Sequence, residues 1–141
     1  MSNSLSGSTN TRLAFTDIAR RIRHLDLPTV DAVIGIAIGG IVPASLVAYQ
    51  LDVPLGILQI NYRDLNNDPR YEEPQLLGQD NLPSQPSRIL LVDDVAVTGQ
   101  TLQVATKALA GHDLTTLVLK GQADIVIFAE INTCVDWPWK V

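Results

Sequence analysis

The chain carries a series of apolar runs of strand length: VIGIAI from Val33, LGILQINY from Leu55, RILLVD from Arg88, LTTLVLK from Leu114 and DIVIFAE from Asp124. Runs that are apolar on both faces must be covered on both faces, as in a parallel sheet sandwiched between helices. Helical segments fall between them. TDIARRIRHL places Ile18, Ile22 and Leu25 on one face of a helix over residues 16–25. Pro43 suits the first turn of a helix running through Leu51, and Thr101 to Ala110 has helical composition and stops at Gly111. The predicted fold is therefore α/β, a doubly wound, mostly parallel open sheet flanked by helices. Residues 12–141 form a single domain, preceded by a loose tail over residues 1–11 that is rich in Ser, Asn, Thr and Gly.

Composition narrows the function. Hydrophobic residues at 46% and charged residues at 18% give material for a core rather than a solvated chain. A net charge of −5 argues against a broad nucleic-acid surface, which needs clustered Lys and Arg. The one cysteine, Cys134, forms no intrachain disulfide and is expected as a small buried hydrophobe. No apolar run approaches the roughly 18 residues of a membrane span, and the first residues lack the apolar core of a secretory signal, so a cytoplasmic protein with no membrane partner is expected.

In open α/β sheets ligands sit beyond the carboxyl ends of the strands. Loops at such ends are Ile38 to Ile41, the long segment from Asn61 to Ser87, and Asp93 to Thr101. The long segment contains Pro69, Pro74, Pro83 and Pro86 and reads as a mobile lid. The third loop lies in RILLVDDVAVTGQTL, residues 88–102, where an oily strand ends in Asp93 and Asp94. Adjacent carboxylates repel unless something cationic or hydroxylated lies between them. A Walker B strand is excluded because no GxxxxGK[ST] occurs, with Gln100 standing where its lysine would be. A phospho-receiver domain is excluded because too little chain follows Asp94. A bare solvated turn would leave Thr98 or Gln100 as a helix cap only. A phosphorylated ribose accounts for every position. Thr98 to Thr101 open a helix whose free N–H groups favour phosphate, Gly99 permits close approach, and Asp93 and Asp94 accept from vicinal hydroxyls or hold hydrated Mg2+.

ILLVDDVAVTGQT resembles the phosphoribosyl diphosphate (PRPP) motif of the type I phosphoribosyltransferases, and the resemblance extends from about residue 12 to the end. AIGG, residues 37–40, resembles the loop that cradles pyrophosphate, often through a non-proline cis peptide, which here would join Ile38 and Gly39. NYRD from Asn61 resembles the start of the mobile hood, with Asn61 in place of its Ser and Tyr62 retained as the closing residue. Lys120 resembles the lysine that reads the exocyclic oxygen of a 6-oxopurine. CVDWPWKV resembles the Trp-rich tail of the xanthine, guanine and hypoxanthine enzymes. The resemblance implies transfer of phosphoribose from PRPP to a nucleobase of the 6-oxopurine class, in a Mg2+-dependent homodimer. Asp93, Asp94 and Tyr62 would be catalytic, with Mg2+ held by the two aspartates. Ile38, Gly39 and Gly40 would bind pyrophosphate, Val97 to Thr101 (with Thr98, Gly99 and Gln100) the 5'-phosphate, and Lys120, Cys134, Val135 and Trp137 the base.

Three departures from the family pattern fall at chemical positions. Val97 stands where purine enzymes carry an acid near the nitrogen that loses its proton, and valine can neither accept a proton nor hydrogen-bond a base. Ile38 replaces a common Lys or Arg before the Gly-Gly pair. Cys134 takes the place of a stacking aromatic, with Trp137 as a substitute if the register slips. A PRPP- or nucleotide-binding regulatory module without catalysis is the alternative reading. His24, His112 and the arginines at 20, 21 and 23 read as solvated or capping side chains.

Overall fold

The computed structural model describes residues 10–61 and 73–140. In chain order these form β1 (Thr11–Arg12), α1 (Phe15–Arg23), β2 (Ala32–Ala37), α2 (Ile41–Leu51), β3 (Leu55–Asn61), β4 (Gln75–Asp80), β5 (Arg88–Ala96), α3 (Gln100–Ala108), β6 (Asp113–Gly121), β7 (Ile125–Val126) and β8 (Val135–Asp136). A six-stranded sheet runs β4-β3-β2-β5-β6-β7, parallel throughout except that β4 is antiparallel to β3. It is built from two crossover units, β2-α2-β3 and β5-α3-β6, which wind outward in opposite directions from the central pair β2 and β5.

Period-2 alternation sorts the strand residues onto two covers. Val33 of β2, Leu90 and Val92 of β5, and Leu117 and Leu119 of β6 face one way, packed with Ile18 and Ile22 of α1 and Ala44 and Val47 of α2. Ile34, Ile36, Leu58, Ile89 and Leu91 face the other way, packed with Ala105 and Leu109 at α3. The helix spacing seen in α1 puts Ile18 and Ile22 in the core, and the Asp17 carboxylate accepts the N–H of Ala14 at 3.0 Å to close its N-terminus. Arg21 is exposed as expected, but its side chain is engaged. Its guanidinium lies 4.5 Å from the Phe128 ring centre, donates to the Ile127 carbonyl at 2.9 Å and pairs with Glu130 at 2.8 Å.

Other expectations require correction. The stretch between β3 and β5 is not all loop, since Gln75–Asp80 pairs along β3. An edge strand needs a partner on one side only, so the polar sequence QLLGQD carries little of the apolar signal of a central strand. DIVIFAE is a strand only at Ile125 and Val126. Ile127 and Phe128 then donate to the Val118 and Leu119 carbonyls at 3.0 and 2.8 Å as the chain turns to bury Phe128. Helix α3 ends at Ala108, ahead of Gly111, which adopts a positive φ in the turn beyond. Thr11, assigned to the loose tail, instead pairs with Val135, because β1 and β8 form a small parallel sheet of their own. The Thr11 N–H donates to the Cys134 carbonyl at 2.8 Å, and the Asn10 amide donates to the Asp136 carboxylate at 2.9 Å.

Ile18 has no exposed surface and anchors α1 against the sheet. Ile18→Ala is expected to lower unfolding stability by about 2–5 kcal/mol in a urea titration, with the slope against urea unchanged.

Candidate active site

Because the two crossover units diverge from β2 and β5, the loops after these strands part and leave a crevice between them. A cleft of about 270 Å³ opens there, lined by Ile38 and Gly39 after β2, Gln59 and Asn61 at the end of β3, Asp93 and Asp94 of β5, Thr101 of α3, and Lys140. Ala37 to Gly39 of one sequence motif and Asp93, Asp94 and Thr101 of the other thus line one cleft, whereas Gly40, Thr98, Gly99 and Gln100 do not line it.

On the β2 side the chain approaches the acids closely. A Cβ placed on Gly39 would lie 2.3 Å from an oxygen of the Asp94 carboxylate, so only glycine fits without moving that acid. Gly40 caps α2, its N–H donating to the Ile36 carbonyl at 2.8 Å and its carbonyl accepting from Ala44 at 2.9 Å. The non-proline cis peptide lies one bond earlier than the motif suggested, between Ala37 and Ile38. The Ile38 side chain is largely exposed.

On the β5 side the strand continues past the acids to Ala96. Asp93 is 7% exposed, and its Oδ1 accepts the Asp94 N–H at 2.8 Å. Asp94 is half-buried, and its Oδ1 accepts the Val95 N–H at 2.7 Å. Burial, reinforced by the neighbouring Asp94 charge, pushes the Asp93 pKa up to about 8. A cation beside this carboxyl would favour its ionised form. The strand then gives way to α3 at Gly99, whose φ of 81° is a left-handed value that suits glycine. The Thr98 hydroxyl accepts the Gln100 N–H at 3.3 Å, and Val97 and Thr98 project from the turn, exposed.

A second cleft, of about 360 Å³, is lined by Val97, Lys120, Gln122, Phe128, Ile131 and Asn132, together with Ala96, Gly121 and Ala129. Val97 and Lys120 both line this cleft. Cys134, Val135 and Trp137 line neither cleft. Pairing of β8 with β1 fixes this part of the tail, so that Val135 and Trp137 are buried in the core, while Cys134 is exposed rather than buried. The Trp137 and Trp139 rings stack on each other, 5.6 Å apart and nearly parallel. Tyr62 and the rest of residues 62–72 of the hood, including Arg63 and Arg70, lie outside the described residues. The sequence reading missed Lys140, Gln59, Gln122 and Asn132. Each is a lone polar residue in a segment without a phosphate or sugar motif, and only the fold gathers them.

Among the described residues no group of three or more His, Cys, Asp or Glu is placed to hold a metal ion. Asp93 and Asp94 nevertheless suit Mg2+, which prefers hard oxygen donors and keeps most of its shell as water or ligand oxygens. Among the described residues no helix is long and apolar enough to cross a membrane.

The family model described as the phosphoribosyl transferase domain matches residues 9–139. The chain belongs to this family. Relatives with sequence similarity include the orotate phosphoribosyltransferase of Sulfurisphaera tokodaii, 34% identical over 62% of this chain and 38% of that protein. Others are the bifunctional protein PyrR of Latilactobacillus sakei, 35% identical over 72% of this chain and 63% of that protein, and the transcriptional regulator GfcR of Methanocella arvoryzae, 30% identical over 55% and 38%. The chain spans less than two thirds of the length of each. Among solved structures, a purine phosphoribosyltransferase from Pyrococcus horikoshii superposes with a TM-score of 0.74 at 23% identity, covering 94% of both chains. The xanthine-guanine-hypoxanthine phosphoribosyltransferase of Helicobacter pylori superposes at 0.70 with 15% identity, covering 94% of this chain and 95% of its own. At these identities the likeness is one of fold.

The raised Asp93 pKa fixes the sign of a pH effect. A carboxyl that ionises near 3.9 when unfolded and near 8 when folded favours the folded state while protonated. That contribution is complete below about pH 4 and is lost as pH rises through 8. In ligand-free protein with chelator, chemical denaturation is expected to show stability falling across this window. Asp93→Asn is expected to flatten the fall and to be more stable than the wild type at pH 8–9.

Proposed function

We propose that this chain transfers the 5-phosphoribosyl group of PRPP to a nucleobase of the 6-oxopurine class, releasing pyrophosphate. The observation that carries this reading is the convergence of the residue 38–40 loop, the Asp93–Asp94 pair and the N-terminus of α3 on one cleft at the sheet's switch point. Membership of the phosphoribosyl transferase family supports it.

In this reading the N-terminus of α3, with Thr98 and Thr101, holds the 5'-phosphate through backbone N–H groups and hydroxyls. Asp94, held by the Val95 N–H, accepts from a ribose hydroxyl and sets the sugar's orientation. The loop from Ile38 to Gly40 lies against pyrophosphate, and the tight seating of Gly39 on Asp94 fixes the spacing between leaving group and sugar. Mg2+ held by Asp93 and Asp94 through water or ribose hydroxyls would neutralise charge on the departing pyrophosphate. As the C1–oxygen bond to pyrophosphate breaks and a C1–nitrogen bond forms, positive charge builds on the sugar ring, comparable to glycoside chemistry. The two carboxylates stabilise that charge. Lys120 meets the base in the second cleft. The acceptor nitrogen gives up its proton without help from Val97, forgoing an effect that typically contributes ~100- to 10,000-fold.

A second reading, a PRPP- or nucleotide-binding regulator without catalysis, is favoured by Val97 and by the similarity to a transcriptional regulator. Product formation separates the two. Incubation with PRPP, Mg2+ and a mixture of purine and pyrimidine bases is expected to give a mass equal to one base plus phosphoribose, lost in Asp94→Asn. Binding of PRPP without product selects the regulator. Under the transferase reading, Val97→Asp is expected to raise kcat with little change in the KM for PRPP.

A further inference from the structure

We propose that Lys140 is a pyrophosphate-binding residue, supplying from the C-terminal segment the positive charge that Ile38 does not supply from the β2 loop. The proposal rests on the reading of the first cleft as the PRPP site. PRPP carries phosphate groups at both ends, yet the cleft contains two carboxylates, and Ile38 beside Gly39 is neutral. Among the described residues that line it, Lys140 is the only cation.

Lys140 is delivered there by the fold. Pairing of Val135 and Asp136 with Thr11 and Arg12 fixes the tail at one end. Trp137 is buried in the core, and Trp139 stacks on it. The Lys140 N–H then donates to the Trp137 carbonyl at 3.1 Å, turning the chain back toward the cleft. The side chain is exposed and so is not committed to the core. It lines the cleft together with Ile38 and Gly39 of the loop assigned to pyrophosphate and with Gln59 and Asn61 at the end of β3, whereas of the α3 turn assigned to the 5'-phosphate only Thr101 lines the cleft. This position favours the pyrophosphate end of the ligand. Lysine acts on phosphate as a mobile point charge, so arginine at the same place would serve the same role.

The test is calorimetric binding of two probes to the full chain in Mg2+: inorganic pyrophosphate and ribose 5-phosphate. Lys140→Ala is expected to weaken pyrophosphate roughly 10- to 100-fold, the loss of a hydrogen bond to a charged group, while ribose 5-phosphate binding stays within about twofold. Lys140→Arg is expected to restore most of the pyrophosphate affinity, and Trp139→Ala, which removes the stacked support, to reproduce part of the loss. Wild-type pyrophosphate affinity in Lys140→Ala, or an equal loss for both probes, overturns the proposal while leaving the PRPP reading in place. Failure of the wild type to bind either probe overturns the PRPP reading and the proposal together.

Discussion

Desolvation of one carboxyl organises this molecule's chemistry. Asp93 ends the apolar part of the central strand β5, with parallel neighbours on either side, and is buried beside a second acid. Such a group is costly to ionise when the site is empty. The strand supplies one compensating contact, the Asp94 N–H, and burial outweighs it, as the raised pKa shows. The site is therefore arranged to gain from a cation or from donor hydroxyls. The geometry around it follows from the same demand: Gly39 leaves the Asp94 carboxylate its space, and Gly99 lets the chain turn at once into α3.

The sheet topology makes this arrangement possible. Parallel strands bring their carboxyl ends to one edge, and the opposite winding of the two crossover units opens a gap between β2 and β5. Residues far apart in sequence, Gly39, Asn61, Asp94, Thr101 and Lys140, then share a volume of about 270 Å³. The tail closes the system from outside. Its tryptophans spend their area on the core and on each other, which orders a segment that would otherwise lose too much entropy to act at a defined place.

What was legible in the sequence were features with a local physical cause. The central strands announced themselves because burial on both faces demands continuous apolar residues. The α3 turn did so because a phosphate-binding helix start needs small, hydroxylated and glycine residues in a row. Strand β4 was hidden because an edge strand pairs on one side, and QLLGQD carries no strong apolar period. The true extent of DIVIFAE was hidden because Ile127 and Phe128 are buried for the core's sake, while only Ile125 and Val126 pair as a strand. The fate of Cys134 depended on a pairing of β8 with β1 across the length of the chain, and no local pattern signals such a contact. Lys140 lies within the CVDWPWKV tail, but only the fold brings that end of the chain to the first cleft.

The two clefts differ in what builds them. The first cleft is made largely of backbone: a loop seated on a carboxylate, a helix start, N–H groups fixing acid side chains. Backbone geometry tolerates few substitutions, because a single Cβ on Gly39 already displaces Asp94. The second cleft is made of side-chain ends, among them Val97, Lys120, Gln122, Ile131 and Asn132. These can be exchanged without moving a strand. The departures from the family pattern follow that construction: Ile38 changes an exposed side chain at the first cleft and Val97 one at the second, and neither requires a strand to move.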